Sequence, residues 1–384
     1  MRLEPITDAD PRRILAAVRA VLSGDGPALG LGLVDRRPAH VGDGTAAVIT
    51  TSGSTGIPKS VVLARDAVVA SARATADRIG TGTWLLALPA AYVAGLQVLV
   101  RSVVAGREPV LLEGPFTPAS FAEAALMMPR TRDGAREPTF TSLVPAQLQR
   151  LLDAADHDRA VAEALRAFDR VLIGGQALAA VTLERAEAAG VRIVRTYGST
   201  ETSGGCVYDG VPLAGVSVRT VDGEVQVSGP MLADGYLAEP EATAAAFPHD
   251  DAGVRWYRTG DAGVIEDGVL RVRGRLDHVI VSGGINVSLD RVERVVRSVP
   301  GLAAAVVVGV PDERWGEASV IVAGRGEALR RSEAIQLDEA RAAVAAEIGA
   351  HARPVRLVLV DELATLPSGK PDREAIRRAV LSLH

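Results

Sequence analysis

Apolar and polar positions follow two periodicities along this chain of 384 residues. Short apolar runs bounded by glycine, proline or polar residues predict buried strands, whereas apolar residues recurring every three to four positions predict helices. The strings TFTSLVPAQLQRLL and FDRVLIGGQAL each begin as a buried strand, and a helix is predicted after each of them. This alternation predicts a largely parallel sheet covered by helices.

The pattern changes after residue 277. DRVERVVRSV predicts an amphipathic helix, with Val292, Val295, Val296 and Val299 on one face. AAAVVVGVPD, SVIVAG and VRLVLVDEL predict strands, and LDEARAAVAAEIG predicts a helix. We therefore expect a large α/β N-terminal domain over residues 1–276 and a small α+β C-terminal domain over residues 277–384.

Composition narrows the class of protein. Hydrophobic residues make up 48% and charged residues 23%, which is typical of a globular protein, and a net charge of −5 without a long basic run argues against nucleic-acid binding. The longest uncharged run, Thr81–Val100, is interrupted by Pro89, Gly95 and Gln97, so it predicts strand, loop and helix rather than stable membrane insertion. The first residues lack the apolar core of a signal peptide, and a cytoplasmic location is expected.

Two residue types are scarce. The single cysteine, Cys206, excludes an internal disulfide and is expected to be a small buried residue rather than a nucleophile. Of 42 basic residues only Lys59 and Lys370 are lysine. Lysine carries a compact charge on a flexible stem, whereas the guanidinium of arginine is a wide planar fork. The two lysines therefore indicate positions where arginine does not serve.

Lys59 ends a string, TSGSTGIPKS, that departs from a Walker A loop only at Pro58. A Walker A lysine lies at the start of a helix, but here a strand is predicted at Val61–Leu63, with a helix from about Arg65. Pro58 also lacks the N–H group that such a loop directs at phosphate. The string therefore predicts a glycine- and hydroxyl-rich hairpin loop rather than an NTPase P-loop.

Four further strings follow in order: TYGSTET, YRTGDAG, GRLDHVIVSGGINVSLDRVE and LPSGKPDR. With the loop ending at Lys59, they resemble the adenylate-forming superfamily of acyl-CoA synthetases, luciferases and peptide-synthetase adenylation domains, over residues 41–373. The resemblance implies a ligase with two steps. ATP and a carboxylic acid first give an acyl-adenylate and pyrophosphate; the small domain then turns, and the thiol of coenzyme A releases AMP.

The resemblance implies a role for several side chains. Lys59 would face the β- and γ-phosphates, Glu201 would hold Mg²⁺, and Lys370 would stabilise the negative charge that develops during adenylation. Tyr197 would stack on adenine and Asp261 would bind the ribose. The implied ATP-binding residues are Thr51, Ser52, Gly53, Ser54, Thr55, Gly56, Lys59, Gly174, Gly175, Gln176, Thr196, Tyr197, Gly198, Ser199, Thr200, Asp261, Arg275 and Lys370.

The resemblance also implies that residues near the domain boundary serve the second step, the formation of the thioester. Asp277 matches the family hinge, and coenzyme A is expected at Ser282, Gly283 and Gly284, where glycine lets the backbone approach the pantetheine closely. The neighbouring His278 is expected to face solvent rather than to be catalytic.

Two longer strings, ALPAAYVAGLQVLVRSVVAG and YGSTETSGGCVYDGVPLAGVSVR, resemble the o-succinylbenzoate–CoA ligases of menaquinone biosynthesis, especially short actinobacterial forms. Tyr92 stands where those enzymes usually have histidine, so it either lines the acid pocket, marks a different substrate or is a core aromatic. Arg101 either pairs with a substrate carboxylate or lies on a helix surface. The implied acid-binding residues are Tyr92, Gly95, Arg101, Ser142, Gly198, Ser199 and Gly204.

The expected partners are a small-molecule carboxylic acid, ATP and coenzyme A, and a homodimer is left open. Two related functions also stay open: ligation of a different aryl or acyl acid, and adenylation that loads a carrier protein. A non-catalytic binder is disfavoured because Lys59, Glu201, Asp261 and Lys370 are all present.

Overall fold

The computed structural model describes residues 1–7, 10–32, 39–51, 58–325, 332–366 and 368–383. The helices before residue 276 are α1 (Pro11–Ser23), α2 (Arg65–Ile79), α3 (Val93–Val104), α4 (Pro118–Leu126), α5 (Pro145–Ala155), α6 (Arg159–Ala167), α7 (Ala180–Ala188) and α8 (Pro240–Ala246). A short 3₁₀ helix spans Thr200–Thr202.

The strands of this part are β1 (Leu3–Ile6), β2 (Ala28–Leu31), β3 (Thr45–Thr51), β4 (Lys59–Ala64), β5 (Thr83–Leu86), β6 (Val110–Leu111), β7 (Thr131–Arg132), β8 (Ala135–Arg136), β9 (Thr139–Leu143), β10 (Arg170–Ile173), β11 (Ile193–Ser199), β12 (Gly204–Tyr208), β13 (Val211–Pro212), β14 (Ser217–Val221), β15 (Glu224–Ser228), β16 (Gly235–Tyr236), β17 (Tyr257–Glu266) and β18 (Val269–Arg275).

Local sequence explains where several helices begin. Proline occupies the first turn of α1, α4 and α5, where a missing N–H costs no hydrogen bond. Asp10 and Thr117 accept hydrogen bonds from backbone N–H groups at the starts of α1 and α4. These caps fix the ends of the helices and therefore their alignment against the sheets.

The central sheet has the strand order β13-β12-β11-β10-β9-β5-β6. Its strands β6, β5, β9, β10 and β11 are parallel, and β12 and β13 are antiparallel additions at one edge. The prediction of a largely parallel sheet is therefore confirmed for this sheet. A second sheet has the order β1-β2-β3-β4-β16, and a third, antiparallel sheet has the order β14-β15-β17-β18.

Buried side chains form a core on each face of the central sheet. On one face, helices α2 and α3 pack with residues such as Trp84 and Leu99 between this sheet and the second one. On the other face, helices α4, α5 and α6 bury residues such as Phe121 and Leu148. Helices on both sides leave the carboxyl ends of the parallel strands as the open edge.

The C-terminal part contains α9 (Leu289–Val296), α10 (Glu333–Glu347) and α11 (Arg373–Leu381), with β19 (Val279–Ser282), β20 (Ile285–Ser288), β21 (Val306–Asp312), β22 (Gly316–Gly324) and β23 (Arg356–Val360). Its sheet has the order β20-β19-β22-β21, and β23 pairs with β22. One face is covered by α9 and α10 and the other by α11. The predicted small α+β domain is confirmed in its element types, and its boundary at residue 277 stays a prediction.

Two predictions about local structure have clear outcomes. Residues 81–100 form β5, a loop and the start of α3, as predicted, and no helix among the described residues is both long and apolar enough to cross a membrane. The prediction for His278 is wrong: this side chain is half-buried, and its Nδ1 lies 2.9 Å from Asp290 Oδ1. The same carboxylate accepts a hydrogen bond from the Arg275 backbone N–H at 2.7 Å, so α9 is attached directly to the chain segment that joins the two parts.

Candidate active site

A cavity of about 680 Å³ opens at the carboxyl ends of strands β9, β10 and β11 and is closed on one side by the loop of Lys370. In α/β sheets this edge is where ligands usually bind, because the loops leaving the strands converge there. The cavity lining includes these residues predicted from the sequence: Thr51, Lys59, Tyr92, Gly95, Arg101, Ser142, Gly174, Gly175, Thr196, Tyr197, Gly198, Ser199, Thr200, Glu201, Gly204, Asp261, Arg275 and Lys370.

Several predicted residues lie elsewhere. Gln176, Asp277 and the segment 282–284 do not line this cavity. The Ser282 hydroxyl is used inside the C-terminal domain, where it donates to the His351 carbonyl at 3.1 Å. The predicted loop residues Ser52, Gly53, Ser54, Thr55 and Gly56 lie outside the described residues.

Lys370 reaches the cavity from a tight turn of the C-terminal domain. The Leu366 N–H donates to the Lys370 carbonyl at 2.7 Å, which fixes the turn. A Cβ placed on Gly175 would lie 3.1 Å from Lys370 Cε, and Gly175 has φ +83°, so this position of the N-terminal domain needs glycine for both reasons. Burial by the surrounding protein lowers the pKa of the Lys370 ammonium, although Glu201 and Asp261 oppose this effect.

Glu201 is held at the cavity by an unusual backbone turn. It lies in the 3₁₀ helix just before Ser203, a fully buried residue in the left-handed region at φ +50°. The Ser203 hydroxyl donates to the Met231 carbonyl at 2.8 Å, and its own carbonyl accepts from the Ser71 hydroxyl at 3.0 Å. These bonds stabilise a conformation that costs about 1–3 kcal/mol for a residue other than glycine.

One tyrosine connects Glu201 with Lys59. The Tyr236 hydroxyl donates to Glu201 Oε1 at 3.2 Å, and Lys59 Nζ lies 4.8 Å from the centre of the Tyr236 ring. At that distance a cation is attracted to the ring face. Lys59 is the first residue of β4, which confirms the prediction that a strand follows the loop.

Asp261 forms a second carboxylate site. The Tyr197 hydroxyl donates to its Oδ2 at 2.7 Å, and Arg275 Nη1 donates to its Oδ1 at 3.3 Å. Burial raises the pKa of Asp261, although both donors favour the charged form. Arg275 also contacts Asp277 through Nε and Nη2, each at 3.0 Å, so a single guanidinium joins the cavity to the predicted hinge.

Arg101 lies at the deep end of the cavity and is not on a helix surface. It is only 7% exposed, and its guanidinium carbon lies 4.9 Å from the centre of the Trp84 ring. Nη2 donates to the Tyr208 hydroxyl at 3.3 Å, whereas Nε is buried and has no hydrogen-bond partner among the described residues. No ion pair joins Arg101 to a described carboxylate. A buried cation in this setting favours a ligand that brings a negative charge.

Tyr92 borders the same end of the cavity. It is half-buried and is the residue before the first turn of α3, so it is not a core aromatic. Burial raises the pKa of its phenol. Cys206 is fully buried nearby in β12, and burial raises the pKa of its thiol to about 12, so the thiol stays protonated as expected.

Several cavity residues were not predicted from the sequence. Tyr236 and Glu224 come from strands outside the quoted strings, and Tyr257 begins the quoted string YRTGDAG, which indicated Asp261 but not this side chain. Tyr208 stands in the quoted GGCVYDG string, which singled out the segment but not this side chain. Gln97 was noted only as an interruption of an apolar run, yet it lies on the cavity with its Oε1 buried and unpartnered among the described residues.

The side chains fit a divalent cation that arrives with phosphates. Across the part of the chain that the structure describes, no group of three His, Cys, Asp or Glu residues could hold a metal by itself. Glu201 offers a carboxylate to the cavity beside the Thr200 hydroxyl. Mg²⁺ prefers oxygen ligands and is commonly bound by one or two carboxylates together with substrate phosphates.

With this geometry in place, comparison with known proteins identifies the class. Residues 15–237 match the AMP-binding enzyme family and residues 291–370 match the AMP-binding enzyme C-terminal domain. The chain belongs to the AMP-binding enzymes, which are adenylate-forming enzymes with this pair of domains.

Curated relatives give a narrower similarity. The chain is 40% identical over 383 residues to a probable 2-succinylbenzoate–CoA ligase of Mycobacterium tuberculosis, which covers 95% of this chain and 94% of the relative. It is 29% identical to the 2-succinylbenzoate–CoA ligase of Listeria monocytogenes, over 87% of this chain and 70% of that protein. It is also 32% identical to the medium/long-chain-fatty-acid–CoA ligase FadD8 of M. tuberculosis, over 85% of this chain and 60% of that protein.

Solved structures agree with the fold. E. coli MenE with bound OSB-AMS has a TM-score of 0.70 and 27% identity, covering 91% of this chain and 72% of that chain. The amide bond synthetase McbA from Marinactinospora thermotolerans has a TM-score of 0.71 and 27% identity, covering 96% of this chain and 78% of that chain. The fold is therefore shared by enzymes with different named activities.

Proposed function

We propose that this chain joins 2-succinylbenzoate to coenzyme A through an acyl-adenylate, releasing pyrophosphate and then AMP, in menaquinone biosynthesis. The observation that carries the proposal is a single cavity with two differently charged ends. The nucleotide end is defined by Lys59, Glu201, Asp261 and Lys370, and the acid end by Tyr92, Gln97, Arg101 and Tyr208. The names of the relatives in Mycobacterium and Listeria support the same substrate.

At the nucleotide end, each charged group meets a different part of ATP. Asp261 and Arg275 would bind the ribose, and Tyr197 would lie against adenine. Lys59 would face the terminal phosphates, and Glu201 would hold Mg²⁺, which would neutralise phosphate charge when bound. Lys370 would donate to the α-phosphate and the acid as negative charge develops there, and a fixed donor of this kind stabilises the transition state.

At the acid end, Arg101 supplies the charge that a dicarboxylic acid needs. One carboxylate of the substrate must face the α-phosphate, so the other extends toward the deep end of the cavity. There the guanidinium of Arg101, which borders the cavity, would meet it. Burying a carboxylate without a partner would cost several kcal/mol, and burying Arg101 without one has a similar cost, so each group stabilises the other. Ser142, Gly95 and Gly204 would border the acid.

The thioester step needs a different arrangement of the C-terminal domain. We place the boundary at residue 277, with Asp277 as the hinge and the segment 282–284 near coenzyme A. Support comes from the position of Arg275, which contacts both the cavity carboxylate Asp261 and Asp277. Mg²⁺, coenzyme A, a cytoplasmic location and a homodimer are further parts of the proposal.

One alternative is favoured by a specific observation. FadD8 shares 32% identity and is named for fatty acids, so the family similarity alone does not fix the acid. A ligase for another acyl or aryl acid would keep the nucleotide end unchanged. The buried Arg101 argues against a purely apolar acid, because such a substrate would leave that cation unpaired.

The test is AMP release by the purified protein with ATP, Mg²⁺ and coenzyme A. The acids are 2-succinylbenzoate, the two monoacids that each lack one of its carboxylates, and a medium-chain fatty acid. We expect the highest kcat/KM with 2-succinylbenzoate. An equal or higher kcat/KM with a monoacid or the fatty acid would show that the chain is a ligase for another acid. Pyrophosphate release without thioester would instead indicate adenylation for a different acceptor, such as a carrier protein.

A further inference from the structure

Arg101 is held by a chain of hydrogen bonds that begins away from the cavity. Thr75, in the middle of α2, is buried and does not line the cavity. Its hydroxyl lies 3.0 Å from the Ser71 carbonyl and 3.0 Å from the Tyr208 hydroxyl. Tyr208 is fully buried, and its hydroxyl in turn accepts from Arg101 Nη2 at 3.3 Å.

The protons in this chain can be assigned because each hydroxyl has only one. The Ser71 carbonyl can only accept, so Thr75 donates its proton to Ser71, as threonine in a helix commonly does to the carbonyl four residues earlier. The Thr75 oxygen is then free to accept from Tyr208. Because the Tyr208 O–H group donates its hydrogen bond to Thr75, the lone pairs of the Tyr208 oxygen can accept a hydrogen bond from Arg101. The reverse direction would leave the Tyr208 proton without an acceptor among the described residues.

This directional chain restricts the guanidinium at two places. Nη2 is fixed by Tyr208, and the plane of the group is fixed by Trp84, whose ring lies 4.9 Å from the guanidinium carbon. Arg101 and Tyr208 both line the cavity, and Arg101 has no ion pair with a described carboxylate. The part of the guanidinium that borders the cavity therefore keeps one orientation before any ligand arrives, which reduces the ordering cost of binding.

We infer that Thr75 and Tyr208 are positioning residues that hold Arg101 for the second carboxylate of a dicarboxylic substrate, and so help to set specificity for diacids over monoacids. This inference rests on the proposed function, since it needs a substrate with a carboxylate at the acid end. Neither residue takes part in the chemistry at the α-phosphate. Their loss should therefore change which acid is preferred without changing how ATP is used.

The experiment compares Thr75→Val, Thr75→Ser and Tyr208→Phe with the wild type, using 2-succinylbenzoate and whichever of its two monoacids remains a substrate. We expect kcat/KM for the diacid to fall about fivefold in Thr75→Val and about tenfold in Tyr208→Phe, mainly through KM, because one hydrogen bond is lost in each chain. Thr75→Ser keeps the hydroxyl and should match the wild type. The KM for ATP and kcat/KM for the monoacid should stay unchanged in the two Thr75 variants, and Tyr208→Phe should lower kcat/KM more for the diacid than for the monoacid.

Thr182→Val is the matched control. Thr182 is also a buried helix threonine, and its hydroxyl donates to Gln149 Oε1 at 3.1 Å, away from the cavity. It should lose some thermal stability and keep the preference for the diacid. The inference is overturned if Thr75→Val and Tyr208→Phe lower both acids equally, which would indicate a structural role, or if both keep the wild-type preference. A wild type that does not prefer the diacid would overturn the proposed function itself, and this inference with it.

Discussion

The nucleotide end and the acid end of the cavity use charge differently. At the nucleotide end, carboxylates and cations from both domains face one another, and Lys59, Glu201 and Asp261 each have a neighbour among the described residues. At the acid end, Arg101 is buried beside neutral side chains and has no described carboxylate partner. In the proposed function, the first arrangement acts on ATP and on the reacting carboxylate that all acids share, so it would not distinguish one acid from another. The second would depend on the charge at the other end of the acid.

Substitution of Lys370 tests the nucleotide end and should have the largest effect. Lys370→Ala removes the one cation that the C-terminal domain contributes to the cavity lining among the described residues. Adenylation should fall by about 10²–10³, the usual loss for a single transition-state donor. The loss should be the same for every acid, as measured by pyrophosphate release. Thioester formation from supplied acyl-adenylate is the internal control, and an equal loss there would refute the role of Lys370 in the first step.

Substitution of Arg101 tests the acid end. Arg101→Met keeps the length of the side chain but leaves the second carboxylate buried and unpaired. Loss of one member of a buried charge pair costs about 2 kcal/mol or more, so kcat/KM for the diacid should fall by about 30-fold. Activity with a monoacid should stay the same or rise. If both acids lose activity equally, Arg101 does not distinguish between them, and the contrast between the two ends fails.

Tyr236 offers a smaller test of the nucleotide end. Tyr236→Phe keeps the ring next to Lys59 and removes the hydrogen bond to Glu201. We expect a rise of about fivefold in the Mg²⁺ concentration needed for half-maximal adenylation, since one hydrogen bond orients the carboxylate. The acid preference should not change. A shift in acid preference with an unchanged Mg²⁺ requirement would mean that Tyr236 acts on the acid end of the cavity and not on the nucleotide end.

The smallest effect near neutral pH comes from the titration of Lys370. Burial lowers the pKa of this ammonium below the ordinary value of 10.5. Only the charged form can stabilise the transition state, so kcat/KM for ATP in adenylation should decrease as pH rises through this lowered pKa. Lys370→Ala should lose this alkaline decrease, and thioester formation should not show it. An identical alkaline limb in the variant would assign the titration to another group.

The two ends also differ in how well the sequence predicts them. The cavity residues at the nucleotide end could be predicted because they come from short local strings, such as TYGSTET, and because the lysines are so rare. Gln176 was nonetheless included and does not line the cavity, since the turn after β10 directs Gly174 and Gly175 inward. The missed Tyr236 comes from a short strand that pairs with β4, a contact that only the fold establishes.

The acid end depends on residues that are distant in sequence. Thr75 on α2, Arg101 on α3 and Tyr208 on β12 meet because both helices pack on the same face of the central sheet. Nothing in the local string around Thr75 indicates a role, since a threonine on an amphipathic helix has many uses. His278 was misjudged for the same reason: its partner Asp290 is close only after β19 and β20 return the chain to α9.

Gly175 has a consequence for the evolution of this chain. All but two of the 42 basic residues are arginine, and Lys370 is one of the two exceptions. At position 370 the methylene stem passes within 3.1 Å of where a Gly175 side chain would begin. Because Gly175 has no side chain, the stem of Lys370 can lie against it. We therefore expect related chains either to keep both residues or to change both.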